Sequence, residues 1–397
     1  MVLAEENFMK TEMIPKTMQA VVYRGLDDLR LETVPVPRIG AHELLVKVAA
    51  CGVCPTDIKK IKYGTVPPPR IFGHETAGTI VKAGALVRGF RVGERVALHH
   101  HVPCLDCHAC RHRAFAQCAL YKKTGITAGF EPAGGGYAEY VRVMRFVLPG
   151  MVKIPRRNTF EEGAMLEPVN TVLKGIERLN LLPGDFALVV GQGPIGLLFT
   201  RLLTLRGVNV VASDLVASRL RLAKKFGAKS VLPADRPDFA GELQRVTRGL
   251  DAAIISAPSD AAVRAAQEWV RGAGQILLFA HTRRGDKTEL DLSRICLDEK
   301  DLLGSYSSDY TLQNAVARLV FSRQLDVRPL VSHRFSLAET NAAIDLAGKP
   351  TSDSIKIFVN QGFMKSNGKA DDGEGRGLDK KALMAIRFKS VSVAKHC

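Results

Sequence analysis

The 397-residue sequence predicts an α/β protein with one β-rich domain and one domain built on a doubly wound parallel sheet. Between residue 18 and about residue 165, short apolar runs alternate with frequent Gly and Pro, which is typical of short strands joined by turns. After about residue 168, strands alternate with helical stretches of about 10 to 15 residues, the pattern of a parallel sheet with crossover helices. At 46% hydrophobic residues, the chain can bury two cores.

The β-rich pattern returns near residue 325, where two predicted strands flank a short helix. Two strands and one short helix cannot bury a core of their own. We therefore expect the chain to rejoin its first domain there. The predicted domains are residues 18–167 with 325–360, and residues 168–324 between them. Residues 1–17 are predicted to be a loose N-terminal extension. Residues 361–397 contain eight Lys or Arg and four Asp or Glu, which predicts a disordered basic tail, with a short docking helix inside it as the alternative.

Composition limits the cellular setting and the partners. No apolar run reaches the roughly 18 to 20 residues of a transmembrane helix, and the N-terminus lacks the basic-then-apolar order of a signal peptide. We therefore expect a cytoplasmic protein without a membrane partner. The 56 Lys and Arg against 40 Asp and Glu give a formal net charge of +16. Because these charges are spread out and not interleaved with aromatic residues, we expect them to attract an anionic dinucleotide or a phosphorylated substrate rather than nucleic acid.

A glycine motif follows the first strand of the predicted parallel sheet. Strand Phe186–Val190 runs into a glycine-rich turn and then an apolar helix, the context that a dinucleotide-binding motif requires. The residues of this turn that we expect to contact the cofactor are Gly191, Gly193, Pro194, Ile195 and Gly196. The glycines would allow a tight turn and a close approach of a pyrophosphate to the helix N-terminus. A glycine turn that only packs is the alternative.

The next strand ends at Asp214, eighteen residues after the third glycine. Its carboxylate would accept hydrogen bonds from the adenosine ribose hydroxyls and repel a 2′-phosphate, so NAD is favoured over NADP. Arg219, five residues further on, could stack near the adenine or contact the ribose, and could weaken the exclusion of NADP.

Four cysteines form a compact array with the spacing C-x2-C-x2-C-x7-C, within a predicted lobe at about residues 99–120. Four thiolates brought together by tight turns make a closed tetrahedral site, which predicts one structural Zn2+. The predicted ligands are Cys104, Cys107, Cys110 and Cys118. Four free thiols are the alternative.

A second, more scattered set of residues predicts a catalytic Zn2+. Its segments are Cys51-Gly-Val-Cys54, Gly73-His74-Glu75 and Met165-Leu-Glu167. One thiolate, one imidazole and one carboxylate from them would leave one coordination position open for water or substrate. The C-x-x-C pair could instead be a redox motif. That interpretation expects a helix start in a thioredoxin-like context, and none is visible in the sequence, so the metal site is favoured.

The combination of GVCPTD, GHE, the four-cysteine lobe, LEP and VVGQGPIG, in this order, resembles the zinc-dependent medium-chain dehydrogenases/reductases of the alcohol dehydrogenase superfamily. The Glu-Pro element is similar to the polyol and L-threonine dehydrogenase branch, whereas the simple alcohol dehydrogenases place cysteine there. The resemblance covers about residues 18–360. It implies a GroES-like catalytic domain, a Rossmann domain, a zinc ion in the cleft between them, and a homodimer or homotetramer.

Carried over to this sequence, the resemblance implies that Cys54 and His74 bind the catalytic zinc. Thr56 would pass on the substrate proton, and Asp57 would orient His74. Either Glu75 would be the third ligand, with Glu167 holding the zinc-bound water, or Glu167 would bind the metal itself. The sequence leaves this choice open, and the two could exchange during turnover.

Three further groups of residues are less defined. The resemblance puts the nicotinamide near Leu278, Ala280, Ser305 and Tyr306.

Lys59 occupies a position where relatives often end the proton relay with histidine, so protons would leave directly to water unless the pKa of Lys59 were lowered. The run of three histidines at residues 99–101 is expected to be an exposed or locally hydrogen-bonded cluster, although it could line the cleft or bind metal.

These features predict an NAD-linked enzyme that interconverts a secondary alcohol and its ketone. The expected substrates are polyols, sugar alcohols, cyclitols or amino-alcohols. A zinc-free quinone or enone reductase of the same superfamily is the main alternative. A nucleic-acid-binding protein that uses the cysteine lobe and a non-catalytic NAD sensor are more remote ones.

Overall fold

The computed structural model describes residues 13–99, 102–121, 125–131, 134–280 and 285–361. Most of the predicted extension and nearly all of the predicted basic tail lie outside these ranges, so both remain predictions. Within the described ranges, no helix combines the length and apolar character needed to cross a membrane.

The described part of the chain contains strands and helices along its whole length. Its strands are β1 (Thr17–Gly25), β2 (Asp28–Pro35), β3 (Leu44–Gly52), β4 (Arg70–Ile71), β5 (Glu75–Ala83), β6 (Arg95–Ala97), β7 (Ile126–Thr127), β8 (Tyr140–Val143), β9 (Val152–Lys153), β10 (Phe186–Val190), β11 (Asn209–Asp214), β12 (Ser230–Pro233), β13 (Leu250–Ile255), β14 (Val270–Leu278), β15 (Asp301–Gly304), β16 (Val331–Phe335) and β17 (Lys356–Asn360). Its α-helices are α1 (Pro55–Tyr63), α2 (His108–Arg111), α3 (Phe160–Ala164), α4 (Leu166–Ile176), α5 (Pro194–Leu205), α6 (Ala217–Lys225), α7 (Phe239–Thr247), α8 (Asp260–Trp269), α9 (Leu292–Leu297), α10 (Gln313–Phe321) and α11 (Thr340–Gly348). Short 3-10 helices span Phe115–Gln117, Arg145–Gly150, Tyr310–Leu312, Arg328–Leu330 and Leu337–Glu339.

Two antiparallel-rich sheets contain the first nine strands and the last two. The smaller has the order β2-β1-β4, and the larger has the order β16-β17-β3-β5-β6-β9, with β8 pairing both β3 and β7. Strand β17 runs antiparallel to β3, with Phe358 opposite Gly52. The end of the described chain therefore returns to the sheet that its first 155 residues build.

The third sheet is parallel. Its order is β12-β11-β10-β13-β14-β15, and every neighbouring pair in it runs parallel. The order reverses at β10, which creates a switch point between β10 and β13 where ligands bind in such sheets. This sheet, together with the antiparallel sheets, confirms the predicted α/β fold class.

Helix α1 departs from the expected all-β pattern of the first domain. It begins at Pro55, whose fixed φ suits the first helical position, and it ends at Gly64, which adopts φ +59°. Ile58 and Ile61 are buried on one side of the helix. Three lysines fill much of the rest, so the apolar stripe is too narrow to be recognised from the sequence pattern.

Helix α4 lies where the larger antiparallel sheet and the parallel sheet meet. One core cluster contains Ala50 and Ala77 of the antiparallel sheet, Val169 and Val172 of α4, and Val189 of the parallel sheet. Because nearly every residue of α4 is buried, its position is fixed from both sides. Its first turn carries Glu167.

The cysteine lobe, residues 102–121, packs against the loop that follows β15. Phe115 meets Tyr310 edge to face at a ring-centroid distance of 5.4 Å. The hydroxyl groups of Tyr121 and Ser307 are hydrogen-bonded, and Ser307 has a left-handed backbone with φ +63°. We call residues 305–310 the cleft loop.

Helix α4 holds the cleft loop from the other side. The Asn170 side chain donates to the carbonyl of Asp309 (2.9 Å) and accepts from its N–H (2.8 Å). Lys174 Nζ donates to the carbonyl of Tyr306 (2.8 Å). The loop is therefore clamped between the lobe and the helix.

We predict that Tyr121→Phe loosens the cleft loop. Tyr121 is 3% exposed, and losing its hydrogen bond to Ser307 should cost about 1 kcal/mol of stability. Hydrogen exchange followed by mass spectrometry should show faster exchange at residues 305–310 and unchanged exchange in the parallel sheet. Tyr63→Phe, at a tyrosine that is 63% exposed, is the matched control. Exchange in the loop equal to that of this control would show that the hydroxyl contact does not hold it.

Candidate active site in the cleft

A cavity of about 610 Å³ runs between the antiparallel and parallel sheets. Most of the residues that the sequence predicted for a site line it. They are Cys54, Thr56, Asp57, His74, Glu75, Glu167, Gly191, Gly193, Pro194, Ile195, Gly196, Asp214, Arg219, Ala280, Ser305 and Tyr306. Leu278 is not among the lining residues, and its carbonyl accepts a hydrogen bond from the Ser305 N–H (3.1 Å).

Three potential metal donors converge at the base of this cleft. Ligand atoms of Cys54, His74 and Glu75 all lie within 4.8 Å of one another. Cys54 is the N-cap of α1, and Glu75 is the first residue of β5, directly after His74. Glu167 lines the same cleft but is not a member of this group of three.

Asp57 holds the ring of His74 from behind. Its Oδ1 lies 3.1 Å from His74 Nδ1, and both side chains are buried. Burial favours the neutral form of each group, but their mutual attraction outweighs it, so the pKa of Asp57 is lowered and that of His74 is raised. A carboxylate that binds one ring nitrogen fixes the ring orientation and presents the other nitrogen to a ligand.

Glu75 is paired with a lysine that the sequence analysis missed. Lys356 Nζ contacts Glu75 Oε2 and donates to the carbonyl of Val53 (2.9 Å). Burial lowers the pKa of Lys356, but Glu75 reverses this, so the net pKa is raised. Lys356 begins the apolar strand β17, and the only sequence signal was a lysine next to this apolar run; the structure buries it to 3% exposure.

Glu167 is a carboxyl group in a buried position near the start of α4. Burial raises its pKa to about 7; the negative charges of Glu75 and Asp57 also raise it, while His74 and Lys356 lower it. Thr171 Oγ1 donates to the Glu167 carbonyl one turn earlier (3.0 Å). Glu167 is thus poised to change protonation near neutral pH.

The donor chemistry at the cleft base fits a divalent cation. Cys54, Glu75 and Glu167 add negative charge when ionised, and Lys356 is the buried lysine that offsets them. Buried carboxylates and thiolates need such compensation. One sulfur, one nitrogen and one oxygen donor are the types that zinc accepts while keeping a fourth position open.

The four cysteines of the lobe also converge. Cys104 Sγ lies 3.8 Å from Cys110 Sγ and 3.7 Å from Cys118 Sγ, and Cys107 Sγ lies 3.5 Å from Cys110 Sγ. A tetrahedron with Zn–S bonds of about 2.3 Å has edges of about 3.8 Å, so the spacing fits zinc and is too long for disulfides. The N–H groups of Cys107 and Cys104 also point at lobe sulfurs, which favours thiolates.

Two expectations about neighbouring residues need correction. A helix does start after the C-x-x-C pair, at Pro55, although the sequence pattern did not predict it. The thiol of Cys51 is nevertheless fully buried, and burial raises its pKa strongly, so it lacks the reactive thiolate of a redox motif. Of the two arrangements expected for the histidine run, exposed or locally hydrogen-bonded, the exposed one is wrong for His99. Its side chain is 0% exposed, because the chain after β6 continues into the core against Gly150; His100 and His101 lie outside the described residues.

The dinucleotide motif lies at the switch point of the parallel sheet. Gly191 adopts φ +87°, and a Cβ on Gly196 would lie 1.7 Å from the Gly191 carbonyl oxygen. A Cβ on Gly193 would meet no heavy atom within 4 Å, so the turn is open on the side where a pyrophosphate would approach. Helix α5 starts at the next residue and aims its N-terminus into the cleft.

Asp214 lies at the end of β11, beside this turn. Its two oxygens accept hydrogen bonds from the N–H groups of Gln192 (2.5 Å) and Val216 (2.8 Å). Each oxygen keeps a second lone pair with which it could accept a ribose hydroxyl. Arg219 lies at the same end of the cleft, with its Nη2 3.5 Å from the carbonyl of Ser354.

Several lining residues were not predicted from the sequence. Tyr121 enters the cleft from the cysteine lobe, and Arg70 and Phe72 enter it from the segment before His74. They lie far from the glycine motif and from the cleft loop in sequence, so only the fold reveals that they share one cavity.

Comparison with known proteins agrees with this architecture. A family profile described as the alcohol dehydrogenase GroES-like domain matches residues 40–155, and one described as zinc-binding dehydrogenase matches residues 194–321. Sorbitol dehydrogenase of Bombyx mori is 32% identical over 353 residues, covering 86% of this chain and 98% of the relative. Sorbitol dehydrogenase of Bacillus subtilis (strain 168) is 30% identical over 358 residues, covering 88% and 99%.

A solved structure described as a zinc-binding dehydrogenase of Sinorhizobium meliloti 1021, bound to NADP, superimposes with a TM-score of 0.79. It is 28% identical and covers 87% of this chain and 100% of its own. The chain therefore belongs to the zinc-binding medium-chain dehydrogenases/reductases of the alcohol dehydrogenase superfamily.

Proposed function

We propose that this protein is a zinc-dependent, NAD-linked dehydrogenase that interconverts a secondary alcohol and its ketone. The observation that carries the proposal is that one cleft receives both the Cys54, His74 and Glu75 donor group and the N-terminus of the glycine-motif helix α5. The sorbitol dehydrogenase relatives favour a polyol or sugar alcohol, with cyclitols and amino-alcohols as further members of the class.

In this proposal Cys54, His74 and Glu75 hold a catalytic zinc ion. The convergence of Glu75 with the other two donors supports it, over Glu167, as the third ligand. The four lobe cysteines hold a structural zinc ion. When bound, the catalytic zinc would supply Lewis-acid activation of the substrate hydroxyl and NAD would supply the hydride acceptor.

Side chains of the protein itself would carry the proton away from the substrate. Thr56, two residues after Cys54, lines the cleft, and its hydroxyl would accept the proton that the substrate hydroxyl loses. Burial lowers the pKa of Lys59, which lies on the same face of α1 one turn further on. This shift supports Lys59 as a group that passes the proton towards solvent.

Glu167 and Cys54 provide the first test. We predict that Glu167→Gln or Cys54→Ser lowers kcat by roughly 100-fold or more, while NAD binding stays near its original strength. Cys54→Ser should also lower the zinc content from two ions to one per chain, measured by elemental analysis. Cys296→Ser, at an exposed cysteine away from both donor groups, is the matched control. If the protein contains no zinc and reduces quinones or enones, the proposed function is wrong and the zinc-free alternative holds.

Asp214 tests the cofactor preference. We predict that Asp214→Asn keeps an acceptor at this position but removes the charge that would repel a 2′-phosphate. The ratio of kcat/KM with NADP to kcat/KM with NAD should rise by at least about 10-fold. Asp235→Asn, at an exposed residue near the end of β12, is the control. If the original protein already prefers NADP, the assignment of NAD is wrong.

The proposed assembly is a homodimer or homotetramer. Strand β15 is an edge strand of the parallel sheet, and exposed leucines lie on it and on the preceding helix α9: Leu302 is 40% exposed, Leu292 72% and Leu297 81%. Exposed apolar side chains beside an unpaired strand edge favour association.

We predict that Leu297→Lys weakens this association. The charge would be buried against a partner subunit, so the mass measured by light scattering should fall towards 43.2 kDa per particle at micromolar concentration. Leu26→Lys, at a leucine that is 67% exposed on the turn between β1 and β2, should leave the mass unchanged. An original protein that is already monomeric would contradict the proposed assembly.

A further inference from the structure

The charges that line the cleft are unevenly distributed. Its carboxylates are engaged at the metal donor group or at the cofactor end: Asp57 with His74, Glu75 with Lys356, and Asp214 with two backbone N–H groups. Glu167, the fourth carboxyl group of the lining, is buried beside the donor group.

Three further cations line the cleft: Lys59, Lys60 and Arg70. We call them the cationic wall. None of them belongs to the glycine motif or to the metal donor group. Proton exit is proposed for Lys59 alone, so the proposed function gives no role to Lys60 and Arg70.

The two lysines share the face of α1 that turns towards the proposed reaction site. Thr56, Lys59 and Lys60 stand at positions i, i+3 and i+4 of the helix, and all three line the cleft. At a rise of 1.5 Å per residue, Lys60 is about 9 Å along the helix axis from Cys54. Lys62 belongs to the same helix but does not line the cleft.

Arg70 enters the same cleft from the segment before His74. Arg70, Phe72 and His74 line the cavity at every second position, while Ile71 is buried at 1% exposure. Four residues of chain lead from Arg70 to His74, so their Cα atoms lie at most about 14 Å apart. The Arg70 Nε donates to the carbonyl of Pro67 (3.4 Å), which restrains the side chain.

These positions suit a substrate with its anionic group at one end and its reacting carbon at the other. A fully extended chain advances about 1.2 Å per bond, so the seven bonds from a C2 oxygen to a phosphorus on C6 span roughly 8 Å. That length, with the reach of long basic side chains, joins the metal donor group to the cationic wall. Guanidinium and ammonium groups together are the partners that phosphate dianions bind in proteins.

Burial supports an anionic ligand here. It lowers the pKa of Lys59 and of Arg70, because both charges have lost part of their hydration. A bound dianion would offset that loss.

We propose that the cationic wall binds a phosphate monoester, and that the substrate is a polyol phosphate of five or six carbons, oxidised at the carbon far from the phosphate. This inference rests on the proposed dehydrogenase function. The phosphate ester stays intact, and only the secondary alcohol loses a hydride and a proton.

The kinetic test compares sorbitol 6-phosphate, sorbitol and gluconate as substrates, with NADH formation as the readout. We expect kcat/KM for sorbitol 6-phosphate to exceed that for sorbitol by at least about 100-fold. Arg70→Gln and Lys60→Gln should each lower it by about 10- to 100-fold, mainly through KM, and should lower kcat/KM for sorbitol by a much smaller factor, because sorbitol lacks the phosphate. Lys62→Gln should alter neither value.

Three results would overturn the proposal. Sorbitol could be used as well as its phosphate, which would mean that the wall does not select substrate. Gluconate could be preferred, which would assign the wall to a carboxylate. The two substitutions could raise the KM for NAD instead of the KM for the substrate, which would assign the wall to the cofactor.

A binding measurement separates this proposal from the proposed function. Calorimetric titration of the zinc-loaded protein with sorbitol 6-phosphate, in the presence of NADH, should show binding that Arg70→Gln weakens by about 10-fold or more. Binding of this kind without turnover of any secondary alcohol would leave the phosphate site standing and refute the dehydrogenase function. Turnover of sorbitol with no binding of the phosphate ester would refute the phosphate site and leave the dehydrogenase function standing.

Discussion

The structure depends on the need to compensate buried charge at the base of the cleft. Asp57, His74, Glu75, Glu167 and Lys356 are all nearly inaccessible to solvent, in a region where an unpaired charge would cost several kcal/mol. Each comes from a different part of the fold, or from a different face of it. The Asp57–His74 and Glu75–Lys356 pairs therefore join α1, β5 and β17, and α4 brings Glu167 to the same place. The open side of this arrangement is the proposed site for a metal and its substrate.

Helix α4 connects this charged cluster with the cleft loop that follows the parallel strand β15. It brings Glu167 to the charged cluster at its first turn, and one and two turns later it holds the cleft loop through Asn170 and Lys174. The wall of the cleft that would face the proposed nicotinamide site is thus positioned by the same rigid element that positions Glu167. Packing on both sides of the helix leaves it little freedom to separate these two functions.

The sequence allowed the parts with strong local patterns to be predicted. Strand–helix alternation identified the parallel sheet, and the glycine motif and the cysteine spacing identified two groups of residues that the fold does bring together. Three kinds of feature could not be predicted. Helix α1 was hidden because its lysines interrupt the apolar stripe, Lys356 because its partner Glu75 is 281 residues away in the sequence, and the burial of His99 because it depends on packing against Gly150. All three are decided by tertiary contacts.

The cysteine lobe has an implication for how the protein matures. Its own buried cluster consists of Cys110, Phe115, Cys118 and Tyr121, too little apolar surface to drive folding by itself. The proposed zinc ion would supply the missing free energy through thiolate–metal bonds, so metal delivery rather than hydrophobic collapse would determine when the lobe forms. Because Tyr121 and Phe115 contact the cleft loop, a newly made chain in a zinc-starved cell would assemble its sheets and yet lack an ordered cleft loop. Zinc supply would then determine whether a newly made chain completes its cleft.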